Sequence, residues 1–210
     1  MSNSVIKKLL LLSGFCVALE VFRMFTTASL NYIFLPFNLL LAWMPLALAL
    51  LVHKAQTSLR IFIGFCLWLL FFPNSPYIIT DLIHLKPRND FPLWFDAMLI
   101  YSFAFTGLIV GMFSAIIIYH KLKGMVSGLT AKATMFLLML ISGYGIYIGR
   151  FLRWNSWNIV TDPLLIFYDT ASRIAHPLSY PRTYGVTLMM GTLLCLVFFV
   201  FESLTLKEEA

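Results

Sequence analysis

Apolar residues in this chain are gathered into long blocks rather than alternating with polar ones, and the two longest intervals between blocks, 74–93 and 153–183, are rich in proline and aromatic residues. Six runs stand out, approximately 9–29, 35–52, 59–73, 94–119, 133–152 and 184–202, of which the third is the shortest. A helix needs about 20 apolar residues to cross a hydrocarbon core of about 30 Å, so the pattern predicts spanning helices. The expected architecture is an all-α six-span transmembrane helix bundle, a single integral membrane domain over residues 1–210, with two short amphipathic interfacial helices on the outer side.

Composition fits that pattern: 60% of residues are hydrophobic, 16% aromatic and 11% charged, against roughly 25% charged in soluble domains. The net charge of +6 does not point to nucleic acid, because the basic residues are scattered over loops instead of forming a stripe. Contact with anionic membrane lipids accounts for it. Cys16, Cys66 and Cys195 all lie in apolar runs without Cys-x-x-Cys spacing and read as packing residues. Lys7 and Lys8 precede the first run as in a signal peptide, but no small-x-small cleavage site follows and bulky Phe15 precedes Cys16, so an uncleaved first helix is expected.

Six spans put both termini on one side with the loops 54–60 and 120–132. Those loops carry Lys54, Arg60, Lys121, Lys123 and Lys132 and no acid, which makes that side cytoplasmic by the positive-inside rule. The opposite side receives segments 74–92 and 154–183, with Asp81, Asp90, Asp96, Asp162 and Asp169. It also receives Lys86, Arg88, Arg150, Arg153, Arg173 and Arg182, so the bias is modest and the outer charges are interleaved.

Three outer stretches hold the candidate chemistry. In the first, Ser75-Pro76 has the form of a helix start, a capping hydroxyl before a proline at the first helical position. A short helix over 76–85 places Tyr77, Asp81 and His84 on one face at i, i+4 and i+7, with Asn74 just ahead of it. The alternative is an interfacial turn whose Asp81 and His84 face water. In the second, Gly145 and Gly149 form a small-xxx-small pair suited to close helix approach, which Ser142 or Gly143 extends. Continued helical spacing then aligns Arg150, Arg153 or Trp154, and Trp157 along one side. These are either arginines snorkelling within an aromatic belt or an anion site. Two guanidiniums one turn apart call for an anion, supplied by Asp81, Asp96, Asp162 or a bound phosphate or carboxylate. Trp154 and Asn155 join Arg150 and Arg153 as anion-binding candidates, with Trp157 and Asn158 in support. The third stretch repeats the capping device at Asp162-Pro163 and predicts a second interfacial helix reaching His176-Pro177.

Within the first run, Glu20 and Arg23 stand at i, i+3 and are expected to pair on one helix face. Intramembrane ionisable residues are functional candidates by default, a neutralised structural pair being the alternative. Asn38 and Asp96 open the second and fourth spans, where helix capping is the plain expectation.

The segments Pro73-Asn74-Ser75-Pro76-Tyr77, Thr80-Asp81-Leu82 and His84-Leu85, taken with Gly149-Arg150-Phe151-Leu152-Arg153-Trp154-Asn155-Ser156-Trp157, resemble a known family. It is an uncharacterised group of bacterial multi-pass membrane proteins, domain of unknown function 1361. Asn38-Leu39-Leu40-Leu41-Ala42-Trp43-Met44-Pro45 fits the second span of that group. The resemblance implies a bacterial plasma membrane and brings no established activity.

Known catalytic patterns are missing from the sequence. There is no His-Glu-x-x-His and no glycine-rich phosphate loop, and Ser142-Gly143 lacks the preceding Gly-x of a rhomboid-like nucleophile. Asp81 and His84 with Asp96 make a weak metal set, so no metal and no cofactor is expected. Three functions remain open. The first is an outward-facing polar site for an anionic group such as a lipid phosphate, held by Arg150 and Arg153, with Asp81 and His84 as acid or base. The second is a membrane accessory or scaffold subunit that docks a membrane protein or a second copy through its glycine face. The third is a small-solute or proton-coupled transporter using Glu20 and Arg23, against which stands the lack of repeated halves.

Overall fold

Long apolar runs without internal turn signals become helices here. The computed structural model describes residues 3–87 and 91–206; Arg88, Asp90 and Lys207 lie outside the described residues. Helices α1 (Asn3–Thr27), α2 (Phe34–Lys54), α3 (Ser58–Phe71) and the single-turn α4 (Asn74–Tyr77) come first, followed by a 3₁₀ segment over Ile78–His84. Then come α5 (Leu93–Lys123), α6 (Gly128–Phe151), the single-turn α7 (Asn158–Thr161), α8 (Pro163–Ala175), a 3₁₀ turn at Pro177–Ser179 and α9 (Pro181–Leu206). Among the described residues there is no strand.

Five helical stretches are long and apolar enough to cross a membrane: Phe34–Lys54, Ser58–His84, Leu93–Lys123, Gly128–Phe151 and Pro181–Thr205. α1, which interrupts its apolar run with Glu20 and Arg23, is not one of the five. Large apolar side chains are exposed along these helices, Phe37, Leu40, Leu51, Phe62, Leu137 and Leu196 among them, the surface expected where lipid is the solvent. The chain is thus an all-α, multi-pass membrane protein. It separates into two compact units, Met1–Ile118 and Tyr119–Ala210.

In the first unit, α1, α2, α5 and the 3₁₀ segment share a core of Cys16, Leu35, Leu39, Ala42, Ile78, Leu99, Ile100 and Phe103. A smaller cluster of Leu9, Leu46 and Val110 continues it. The polar interruption after α3 is packed into this unit. Ser75 is buried and its Oγ donates to the carbonyl of Ala42 at 2.8 Å, one residue along from the Leu41 carbonyl that Pro45 leaves without a helical donor. α5 makes room for it with two glycines one turn apart. A Cβ on Gly107 would lie 2.6 Å from the Ser75 carbonyl oxygen, and one on Gly111 would lie 2.7 Å from the Ser75 Cβ. The chain therefore enters a cradle that any side chain would fill.

The expected helix over 76–85 is replaced by a single α turn and a 3₁₀ run. Ser75 does not cap it, since its hydroxyl is committed to α2. Thr80 Oγ1 donates to the Tyr77 carbonyl at 2.6 Å, a local side-chain bond of the kind that competes with regular helix.

In the second unit, α6 and α9 lie antiparallel, with Gly143 against Thr187 and Gly191, the Cys195 thiol against the Phe136 carbonyl, and Lys132 against Glu202. A Cβ on Gly143 would run into the α9 backbone at Thr187 and Gly191. Glu202, 5% exposed, takes Lys132 Nζ at 3.0 Å and the Tyr119 hydroxyl at 3.1 Å. Lys132, whose loop offers it no acid, thus finds one on α9. α8 starts at Pro163 as its sequence predicts, but Asp162 gives no capping bond to the backbone. Its carboxylate instead accepts from Thr161 Oγ1 at 2.7 Å and Asn158 Nδ2 at 3.4 Å.

Candidate functional site

The polar groups of the first unit converge on two buried carboxylates. Asp96, in the first turn of α5, takes both arms of Arg23 from α1, with Nε to Oδ1 at 2.6 Å and Nη2 to Oδ2 at 3.2 Å. The two side chains are 0% and 1% exposed. This corrects two expectations at once. Arg23 does not pair with Glu20 on its own helix, and Asp96 serves a partner 73 positions away instead of merely capping a helix. A forked guanidinium matches a carboxylate in geometry as well as charge, which a neighbour at i−3 on the same helix does not offer as readily. The rings of Tyr32 and Phe91 lie 4.6 and 5.8 Å from the guanidinium carbon. Glu20 is equally buried, and neither of its oxygens has a hydrogen-bond partner among the described residues.

The second carboxylate is Asp81, 1% exposed, whose Oδ2 accepts from Asn38 Nδ2 at 2.8 Å. Asn38 too is drawn away from a capping role into a bond across the unit. Asp81 is turned into the protein, and His84, one 3₁₀ turn along, is exposed with its ring edge-on to Phe34 at 5.2 Å. Tyr77 is half-buried, and Asn74 Nδ2 donates to the Phe71 carbonyl at 3.0 Å, closing the end of α3.

Arg150 and Arg153 belong to the second unit. The helical alignment expected for Arg150, Arg153 and Trp157 does not occur, because α6 ends at Phe151. Arg153 adopts a left-handed backbone with φ 61°, and the Trp154 N–H turns back to the Ile148 carbonyl at 3.2 Å. Arg150 is half-buried and Arg153 exposed. Trp154 Nε1 donates to Asp169 Oδ2 at 2.8 Å, and the Asn155 N–H donates to Asn158 Oδ1 at 2.7 Å. Asn155 and Asn158 thus shape the turn into α7, and Trp157 is exposed beside them.

One arginine that the sequence pattern did not single out is central to this end of the second unit. Arg173, 9% exposed, donates from Nη1 to the Asp169 carbonyl at 2.6 Å and lies 3.4 Å from Asp169 Oδ1. The Tyr180 ring is 4.8 Å from its guanidinium carbon. Its i+4 position from Asp169 was the signal available. Three further contacts tie the elements together: Tyr144 to Thr170 at 3.0 Å, Tyr184 to the Arg173 carbonyl at 2.8 Å, and Arg182 over the Phe151 ring at 5.5 Å. The C-terminal end of α6, α8 and the start of α9 therefore form one place, and it holds Arg150, Arg153, Arg173 and Arg182. Among the described residues, no three His, Cys, Asp or Glu side chains converge as a metal site.

A family model described as a protein of unknown function, DUF1361, matches residues 37–197. Nothing matches among curated proteins or among solved structures. The chain belongs to the DUF1361 family.

Proposed function

We propose that this member of a family without an assigned activity is a membrane protein whose second unit binds an anionic group, most simply the phosphate of a lipid headgroup, through Arg150, Arg153 and Arg182. One observation carries the reading. At the end formed by α6, α8 and α9, both aspartates are already engaged, Asp169 by Trp154 and Arg173 and Asp162 by Thr161 and Asn158. Arg153 and Arg182, by contrast, are held in no ion pair among the described residues. Exposed guanidiniums, that of Arg182 lying over the Phe151 ring, are suited to a phosphate at the membrane interface, where aromatic rings sit at headgroup depth.

In this reading the chain is a single six-span domain in a bacterial plasma membrane, α1 being the additional span. Both termini are cytoplasmic, and the arginine-rich end faces outward. Support comes from the acid-free loops 54–60 and 120–132 and from the aspartates confined to the other side.

The test is lipid titration of delipidated protein in detergent, read by native mass spectrometry. An anionic phospholipid is compared with a zwitterionic one of the same chains, and inorganic phosphate is added as a competitor. The wild type is expected to retain the anionic lipid preferentially, and R150A/R153A/R182A to lose that preference by roughly tenfold or more, each charged hydrogen bond contributing about 1.5–3 kcal/mol. Displacement by inorganic phosphate identifies the phosphate as the recognised group. Equal retention of both lipids by the wild type, or an unchanged preference in the triple variant, overturns the reading.

A further inference from the structure

The first unit contains a carboxyl group that its structure does not otherwise use. Glu20 is 1% exposed on α1, and both of its oxygens are buried without a hydrogen-bond partner among the described residues. Among the described residues the one cation acting on it is already matched: Arg23 gives Nε and Nη2 to Asp96, so that pair is neutral as a unit. Only Nη1 of Arg23 is left, and it too is buried and has no hydrogen-bond partner. The charged groups acting on Glu20 are therefore Arg23 on its own helix and Asp96 on α5, with Tyr32 of the α1–α2 turn against the guanidinium. An ionised Glu20 would make two carboxylates to one guanidinium inside an apolar core, with no donor on either oxygen. Burial of a charge under those conditions is among the costliest arrangements in a protein.

We infer that Glu20 is a proton-binding site inside the first unit, with the Arg23–Asp96 pair as its fixed electrostatic frame. The bound proton supplies the charge balance that no side chain among the described residues provides. When the proton leaves, Nη1 of Arg23, one turn along the helix and without a partner among the described residues, is the group to hold the carboxylate, so that the guanidinium then bridges Glu20 and Asp96. Loading and unloading the site exchanges a carboxylic acid for a three-membered ionic cluster. Intramembrane carboxyls of this kind mark proton relays. The inference stands on the first unit alone and is independent of the anion site of the second.

The test is infrared spectroscopy of the full-length protein in lipid vesicles, wild type against E20Q. The amide is isosteric and neutral, so the variant should fold with a melting temperature no lower than that of the wild type. At neutral pH the wild type is expected to show the carbonyl stretch of a buried protonated carboxylic acid, which disappears in E20Q and converts to carboxylate bands as the pH is raised. D96N provides the control for assignment, since a band arising from Asp96 would vanish there instead. A second readout is covalent. A hydrophobic carbodiimide takes the acid proton on one nitrogen while the carboxyl oxygen adds to its central carbon, and acyl migration to nitrogen leaves a stable N-acylurea with no atom lost. The peptide carrying Glu20 should gain the full reagent mass in the wild type. Absence of an acid carbonyl band in the folded wild type at neutral pH overturns the inference, as does a band that survives in E20Q. Failure of Glu20 to take the reagent in vesicles, when it does react after unfolding in acid, does the same.

Discussion

The two units treat charge in opposite ways. In the first, Arg23 near the end of α1 and Asp96 in the first turn of α5 form a matched, buried pair, and Asp81 is answered by Asn38. In the second, one arginine, Arg173, is drawn inside against Asp169 and the Tyr180 ring, while Arg153 and Arg182 stay at the surface. Buried polar groups need partners of fixed geometry, and removing one leaves the other stranded; surface arginines tolerate loss because water replaces the partner. The first arrangement thus identifies residues that hold the fold, and the second identifies residues available to a ligand.

That contrast breaks most sharply at Arg23. Arg23→Met strands the Asp96 carboxylate and should lower stability by about 3–5 kcal/mol, whereas R23M/D96L, which removes both charges, should recover most of the loss. Thermal unfolding in detergent is the measurement, and equal destabilisation by the single and double variants would remove the pair from the account. The cradle comes next. Gly107→Ala and Gly111→Ala push a methyl into Ser75, where a Cβ would sit at 2.6 and 2.7 Å from its nearest atoms, and should cost about 1–3 kcal/mol each. Accessibility of a cysteine placed at Thr80 to a thiol reagent, in a background lacking the native cysteines, should rise in both variants if the segment leaves its seat. Asp81→Ala should cost about 1–3 kcal/mol by leaving the Asn38 amide unanswered, and N38A/D81A less than the sum of its parts, a difference that a double-mutant cycle reads directly. The smallest effect, and the one of opposite sign, belongs to the second unit. Arg153 has φ 61°, a conformation that favours glycine, so Arg153→Gly should raise stability by about 1 kcal/mol while removing an exposed charge. If stability falls instead, Arg153 has a structural partner and the contrast between the units weakens.

Much of the helical framework was legible because a run of apolar residues has few other outcomes in a chain of this composition. The runs 35–52, 94–119 and 184–202 lie within helices that extend them by one to four residues at each end. What the sequence conceals is which partner a polar residue chooses. Glu20 is the obvious neighbour of Arg23 by spacing, yet Asp96 holds it through two nitrogens. Ser75 looks like a cap, yet it bonds across to Ala42. Both choices depend on tertiary approach, which has no periodicity to read. Gly107 and Gly111 are a partial exception: their spacing of four on an apolar run is the same small-residue signal that drew attention to Gly145 and Gly149. Arg173 was hidden for a different reason, since only the fold of α8 shows that this one of the outer arginines is buried.

The Gly107–Gly111 cradle also fixes an order of events. The chain emerges from the ribosome N-terminus first, so the segment around Ser75 and Asp81 is made before the helix that seats it. From His84 to the end of α5 at Lys123 takes about 2–8 s at roughly 5–20 residues per second. During that interval Asn38 can already meet Asp81, but Ser75 has no α5 to rest against. The first unit is therefore completed from its C-terminal side, and a chain stalled within α5 would carry a polar, proline-bearing loop unseated at the membrane.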